Sequence, residues 1–171
     1  MKAILIGLVV VALAGAAYVY QTRPQPLPQI QFPVGDGETI SLDDVRGESQ
    51  YLVLILVLHG CPLSKASLDM ATDLAEEYKG LVTFAGLLMR GGQARADKIQ
   101  EEEQLPFDLY SYSDMMAADL FTTRDFRETI AGNTIYGGSV IIIDDENNFL
   151  EMLEREDVRG FPEKVAGLLG K

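Results

Sequence analysis

From Tyr51 to Leu58 the chain runs YLVLILVL, an apolar octet with no polar alternation. A strand with one wet face alternates, so an unbroken run of this length predicts a strand buried on both faces of a covered sheet. From Pro62 to Tyr78 the period changes. Leu63, Ala66, Met70, Leu74 and Tyr78 recur every three to four residues with Asp69, Asp73, Glu76 and Glu77 between them, which predicts an amphipathic helix ending at Gly80. Leu81 to Met89 predicts a second buried strand, Gly91-Gly92 a break, and Ala94 to Gln104 a second helix with an acid-rich end before Pro106. Phe107 to Tyr110 is a candidate short edge strand and Met115 to Phe121 a helical stretch. Ser139 to Ile143 and Phe149 to Leu153 flank Asp144-Asp145-Glu146-Asn147-Asn148, the pattern of a hairpin, and Phe161 to Leu169 gives a last amphipathic helix. Strand-helix-strand alternation needs a parallel crossover, whereas the hairpin is antiparallel. The predicted class is therefore α/β, a central mixed β-sheet with helices on both faces.

Ahead of this pattern, Ala3 to Tyr20 is uncharged and mostly apolar, and Pro24, Pro26, Pro28 and Pro33 follow it. An apolar run without a polar face, cut off by a proline-rich stretch, predicts a membrane-directed segment rather than a helix of the folded domain. Its length lies between the roughly 20 residues of a spanning helix and the roughly 7–15 of a signal-peptide core. Ala12-Leu13-Ala14 and Ala14-Gly15-Ala16 offer small-residue cleavage sites, while the run continues past them to Tyr18 and Tyr20, as an interfacial anchor does. A retained anchor is the reading taken, with secretion after signal cleavage as the alternative. Lys2 favours a cytoplasmic N-terminus, against which Arg23 weighs, and the domain then lies outside the cytoplasm on the periplasmic or cell-surface side. The organisation expected is an anchor or signal over 1–22, a proline-rich linker over 23–33, and one folded domain over 34–171.

Charge narrows the partners. With 26 acidic against 14 basic side chains the net charge is −12, which repels phosphate backbones and argues against nucleic acid. The chain has a single cysteine, Cys61, and a single histidine, His59. Disulfide chemistry must therefore pass through a second molecule. A structural zinc site wants about four Cys/His ligands, so no metal is expected, and neither Gly91-Gly92 nor Gly137-Gly138 carries a nucleotide-binding pattern, so no cofactor is expected. Glu101-Glu102-Glu103 reads as a solvated helix end.

Cys61 falls where the central strand gives way to a helix N-terminus. A thiol there faces unpaired N–H groups and the positive end of the helix dipole, which stabilise thiolate. Pro62 suits the first helical turn, and the Ser64 hydroxyl can donate to the sulfur. His59 would share a strand face with Cys61 if extended pairing continued that far, and its protonation would lower the thiol pKa further. These groups place the pKa below the ordinary value of about 8.5, against the opposing effect of burial by the apolar strand and Leu63. Two readings stay open: a monothiol that forms mixed disulfides or is oxidised to sulfenic acid, and an inert cysteine in a binding or assembly module without turnover.

Phe32, Gly37-Glu38, Ser41-Leu42 and Asp44-Val45-Arg46-Gly47 resemble the lead-in of TlpA-like and AhpC/TSA-type redoxins of the thioredoxin-like superfamily. Gly60-Cys61-Pro62-Leu63-Ser64 falls where that family carries its Cys-X-X-Cys or peroxidatic cysteine. Leu105-Pro106-Phe107 with Tyr110-Ser111, and Ser139 to Asp144, are similar to later segments, so the resemblance spans about Phe32 to Leu169. It implies a thioredoxin-like fold, chemistry at Cys61 with Ser64 and His59 beside it, and as partner a disulfide-bearing protein or a small-molecule thiol or peroxide. The departures are specific. Ser64 stands where the resolving cysteine would be and Gly60 where the usual tryptophan would be. Gly138 replaces the cis-proline, which implies a looser loop and a trans peptide bond before it. Leu58 and Gly138 stand where peroxiredoxins align peroxide with Thr or Ser and with Arg.

Overall fold

The computed structural model describes residues 30–35, 37–111 and 137–170. The described chain opens with an antiparallel hairpin, β1 (Gln31–Gly35) and β2 (Glu38–Ser41), and a short helix, α1 (Leu42–Arg46). A capping box fixes the start of α1: the Ser41 hydroxyl accepts the Asp44 N–H at 3.2 Å, and the Asp44 carboxylate accepts the Ser41 N–H at 2.9 Å. The main sheet holds β3 (Tyr51–Val57), β4 (Val82–Leu88), β5 (Leu109–Ser111), β6 (Val140–Asp144) and β7 (Phe149–Leu153), in the order β5-β4-β3-β6-β7. Helix α2 (Pro62–Glu77) joins β3 to β4, α3 (Gln93–Glu102) joins β4 to β5, and α4 (Phe161–Leu168) follows a 3-10 turn over Arg155–Gly160. Strand β3 pairs in parallel with β4 and antiparallel with β6, which makes the sheet mixed, as expected.

Alternation across β3 explains why its sequence shows none. Val53, Ile55 and Val57 pack on one side against Leu68, Ala71 and Leu74 of α2 and Phe161 and Val165 of α4. Leu52, Leu54 and Leu56 face the other side, flanked in the sheet by Ile141 and Ile143 of β6 and covered by Ile30 and Phe32 and by Leu42 of α1. All six β3 positions are at most 2% exposed, so each must be apolar whichever way it points. Among the described residues the second face is roofed by the hairpin and the short α1. Phe32 is the anchor of that roof, fully buried with its ring 5.2 Å from that of Tyr110.

Helix α2 is rotated from its expected setting. Its buried stripe is Ser64, Ser67, Leu68, Ala71 and Leu74, whereas Leu63 and Met70 are half-buried and Ala66 is exposed. Polar side chains occupy core positions when their hydrogen bonds are made, and both serines find backbone partners, as described below. The predicted β6–β7 hairpin forms, its turn held by the Asp144 carboxylate, which accepts the N–H groups of Glu146 at 3.0 Å and Asn148 at 2.7 Å. The apolar segment Ala3 to Tyr20 and the stretch Met115 to Phe121 lie outside the described residues, among which no helix is long and apolar enough to cross a membrane.

Candidate active site

Strand β3 stops at Val57 because the next N–H turns away from the sheet: Leu58 donates instead to Ser64 Oγ at 3.0 Å. Gly60, at φ +79, reverses the chain, and the Cys61 N–H closes the turn on Leu58 O at 3.0 Å. A positive φ of this kind suits glycine, which accounts for Gly60 at the position before the cysteine. Cys61 is thus the N-cap of α2, extended at φ −82 and ψ 121, with Pro62 opening the helix and Lys65 N–H donating to Cys61 O at 3.1 Å. Extended pairing does not reach His59. It lies exposed in the turn, off any strand face, and shares with Cys61 only the wall of one cavity.

The Cys61 sulfur is half-buried and has opposing neighbours. The Ser64 N–H is the main group that lowers its pKa below the ordinary cysteine value; partial burial pushes the other way, and the Leu63 N–H and Ser64 hydroxyl reinforce the lowering. Ser64 is 2% exposed, and because its oxygen already accepts the Leu58 N–H, its hydrogen remains for the sulfur. In the thiol form Cys61 Sγ also donates to Gly137 O, 3.7 Å away.

That carbonyl belongs to a loop packed flush against the cysteine turn, not the looser one that the glycine pair leads one to expect. A Cβ on Gly137 would lie 2.5 Å from Leu58 Cβ and 2.8 Å from Ser64 Oγ; one on Gly138, at φ +95, would lie 2.6 Å from Leu63 Cγ and 2.7 Å from Leu63 C. The pair therefore serves close backbone approach, the second use of glycine besides flexibility. Gly138 N–H donates to Leu56 O, Leu56 N–H returns to Ser139 O at 2.8 Å, and Ser67 Oγ donates to Gly138 O at 2.7 Å. The Gly137–Gly138 peptide bond is trans.

Beside Cys61 opens a cavity of about 220 Å³ with apolar walls from Val57, Leu58, Leu68 and Ile99. Its rim carries Lys65, which bridges Asp69 at 3.1 Å and Glu103 at 3.0 Å, so this cation is already matched by two carboxylates. The acidic run at the end of α3 is solvated, as expected, and contributes this single contact to the rim. Among the described residues no group of three His, Cys, Asp or Glu side chains is placed to hold a metal ion. Of the three sequence-predicted site residues, the structure joins Cys61 and Ser64 by hydrogen-bonding groups and leaves His59 a cavity-wall residue. Gly137 was not legible as a neighbour of the sulfur, nor Ser67 as the residue that ties the Gly137–Gly138 loop to α2. The available signal was the three-residue spacing of Ser64 and Ser67 on one helix face.

No family model matches the chain, and no curated protein does. Among solved structures it is similar to a thiol:disulfide interchange protein of the thioredoxin family from Chlorobium tepidum TLS, with 14% identity and a TM-score of 0.65 over 85% of this chain and 96% of that one. A DsbF homologue from Corynebacterium diphtheriae matches with 15% identity and a TM-score of 0.63 over 85% of this chain and 87% of that one. DsbF of MTB, in mixed oxidized and reduced forms, matches with 16% identity and a TM-score of 0.59 over 83% of this chain and 98% of that one. At these identities the likeness shows the fold: the chain has an α/β thioredoxin-like fold.

Proposed function

We propose that this chain is a membrane-tethered, extracytoplasmic monothiol redox protein that exchanges with disulfides through Cys61. One observation carries the reading: a half-exposed sulfur at the N-cap of α2 with the Ser64 N–H, the Leu63 N–H and the Ser64 hydroxyl all favouring thiolate. The thiolate attacks one sulfur of a disulfide, a Cys61–S–S–R bond forms, the original S–S bond breaks, and the other half leaves as a thiolate carrying the electron pair. The chain has no second cysteine, so an external thiol must attack the mixed disulfide to return Cys61. Disulfides suit the site better than peroxides, because among the described residues no Arg lines the Cys61 cavity, and the Ser64 hydroxyl there is already engaged with the Leu58 N–H and the sulfur. That observation also favours the TlpA-like over the AhpC/TSA-type side of the resemblance. The cavity beside the sulfur gives the group flanking the substrate disulfide an apolar seat. Structural likeness to a thiol:disulfide interchange protein and to DsbF proteins supports the same choice.

The test uses the full chain with a C-terminal tag, recovered from the membrane fraction after an alkaline wash and incubated with oxidised glutathione. One glutathione should attach at Cys61, an added dithiol should release it, and Cys61→Ser should abolish the adduct. Recovery of a shortened soluble form would reject the tether and leave a cleaved signal. Folded protein that gains no adduct would reject exchange and leave the binding module standing.

A further inference from the structure

Ser67 stands one turn beyond Ser64 on α2 and is fully buried. A helical serine commonly bonds back to the carbonyl four residues earlier. Ser67 does so, to Leu63 O at 3.0 Å, but its shorter contact, 2.7 Å, reaches Gly138 O, 71 positions away in the sequence. One hydroxyl hydrogen is thus shared between the first turn of α2 and the loop that lies over it. The neighbouring Gly137 carbonyl is the one that faces the Cys61 sulfur at 3.7 Å. A carbonyl oxygen can accept from a thiol but only repels a thiolate, so it acts against the Leu63 and Ser64 N–H groups.

We propose that Ser67 is a positioning residue for the thiol: by holding Gly138 to α2 it keeps the Gly137 carbonyl on the Cys61 sulfur and biases the resting site toward the thiol form. The inference rests on the reading of Cys61 as an exchanging thiol. It makes the loop a restraint on thiolate formation, set against the activating helix terminus. Among the described residues the charged and titratable groups around the site are His59 in the turn, Lys65 and Asp69 on α2, and Glu103 beyond α3; residues 137–139 add none. Ser67→Ala leaves all of them in place, so a change in the titration reports the loop.

The rate of Cys61 alkylation against pH, measured on the full chain, separates the outcomes. Ser67→Ala should move the midpoint downward and raise the rate on the acid side by roughly two- to tenfold, the range one lost hydrogen bond gives. Ser67→Thr keeps the hydroxyl and should return the wild-type profile, which a merely destabilised helix would not do. A folded Ser67→Ala protein whose profile superimposes on wild type, or moves upward, overturns the inference and leaves the role of Cys61 intact. A wild-type thiol that fails to titrate overturns both. If Ser67→Ala does not fold, carbon-13 labelling of the wild-type glycine carbonyls decides: the Gly137 resonance should follow the Cys61 titration, and a resonance unmoved through it overturns the assignment.

Discussion

Replacing Gly138 with alanine should lower the stability of the domain by about 3 kcal/mol, measured by urea unfolding. Two costs combine. Gly138 sits at φ +95, where a side chain carries roughly 1–3 kcal/mol of backbone strain, and its Cβ would meet the Leu63 backbone carbon and oxygen at 2.7 and 2.9 Å, an overpacking that costs a further 1–3 kcal/mol. Neither side yields easily, because backbone hydrogen bonds tie Gly138 and Ser139 to Leu56 and α2 is packed into the core through Leu68 and Ala71. Gly167→Ala is the control. That position has open space and lies within α4, where alanine should be neutral or stabilising by up to about 1 kcal/mol. A Gly138→Ala protein as stable as wild type would mean that the loop is not held against the cysteine turn, and the geometry around Gly137 O would fall with it.

Ser64→Cys should convert a stalled mixed disulfide into one that resolves itself. The Ser64 hydroxyl already interacts with the Cys61 sulfur, so a thiol introduced there stands beside the sulfur of the Cys61–glutathione disulfide. Its thiolate can attack that sulfur, expel glutathione as the leaving thiolate and close an internal disulfide. Glutathione should then be released without added thiol, whereas the wild-type adduct should persist until a dithiol is supplied. The substitution also exchanges the oxygen that accepts the Leu58 N–H for a weaker acceptor, at a cost of about 1 kcal/mol. A Ser64→Cys adduct as long-lived as the wild-type one would show that position 64 does not present its side chain to the reacting sulfur.

The elements that carry the site were legible wherever one strong period ruled. The Tyr51 to Leu58 run gave β3 and the spacing after Pro62 gave α2, and their junction placed Cys61 correctly at a helix N-terminus. What escaped depends on partners far away in the chain. Ser67 entered no expectation because its burial is satisfied by Gly138 O, 71 positions away, and α2 was expected to turn Leu63, Ala66 and Met70 inward instead. The loop before Ser139 was expected to be looser because Gly138 stands where the family that the chain resembles has a cis-proline, and a sequence cannot tell a glycine used for motion from one used for close approach. A shared strand face for His59 and Cys61 required extended pairing to continue past Leu58, and β3 ends at Val57. The β1–β2 hairpin, short and interrupted by Pro33, entered the sequence reading only through the resemblance of its residues to a redoxin lead-in.

Exchange at this site requires that the turn after β3 make Cys61 a reactive thiolate, and the rate of its reaction with iodoacetamide across pH measures this directly. Only thiolate reacts, so the rate climbs as pH passes through the thiol pKa. With the Ser64 N–H, the Leu63 N–H and the Ser64 hydroxyl favouring the charged form, the folded protein should reach half its maximal rate at a lower pH than the same chain unfolded in urea. Ser64→Ala should move the folded midpoint upward, toward the unfolded one. A folded midpoint at or above that of the unfolded chain, or a cysteine modified only after denaturation, would contradict the account.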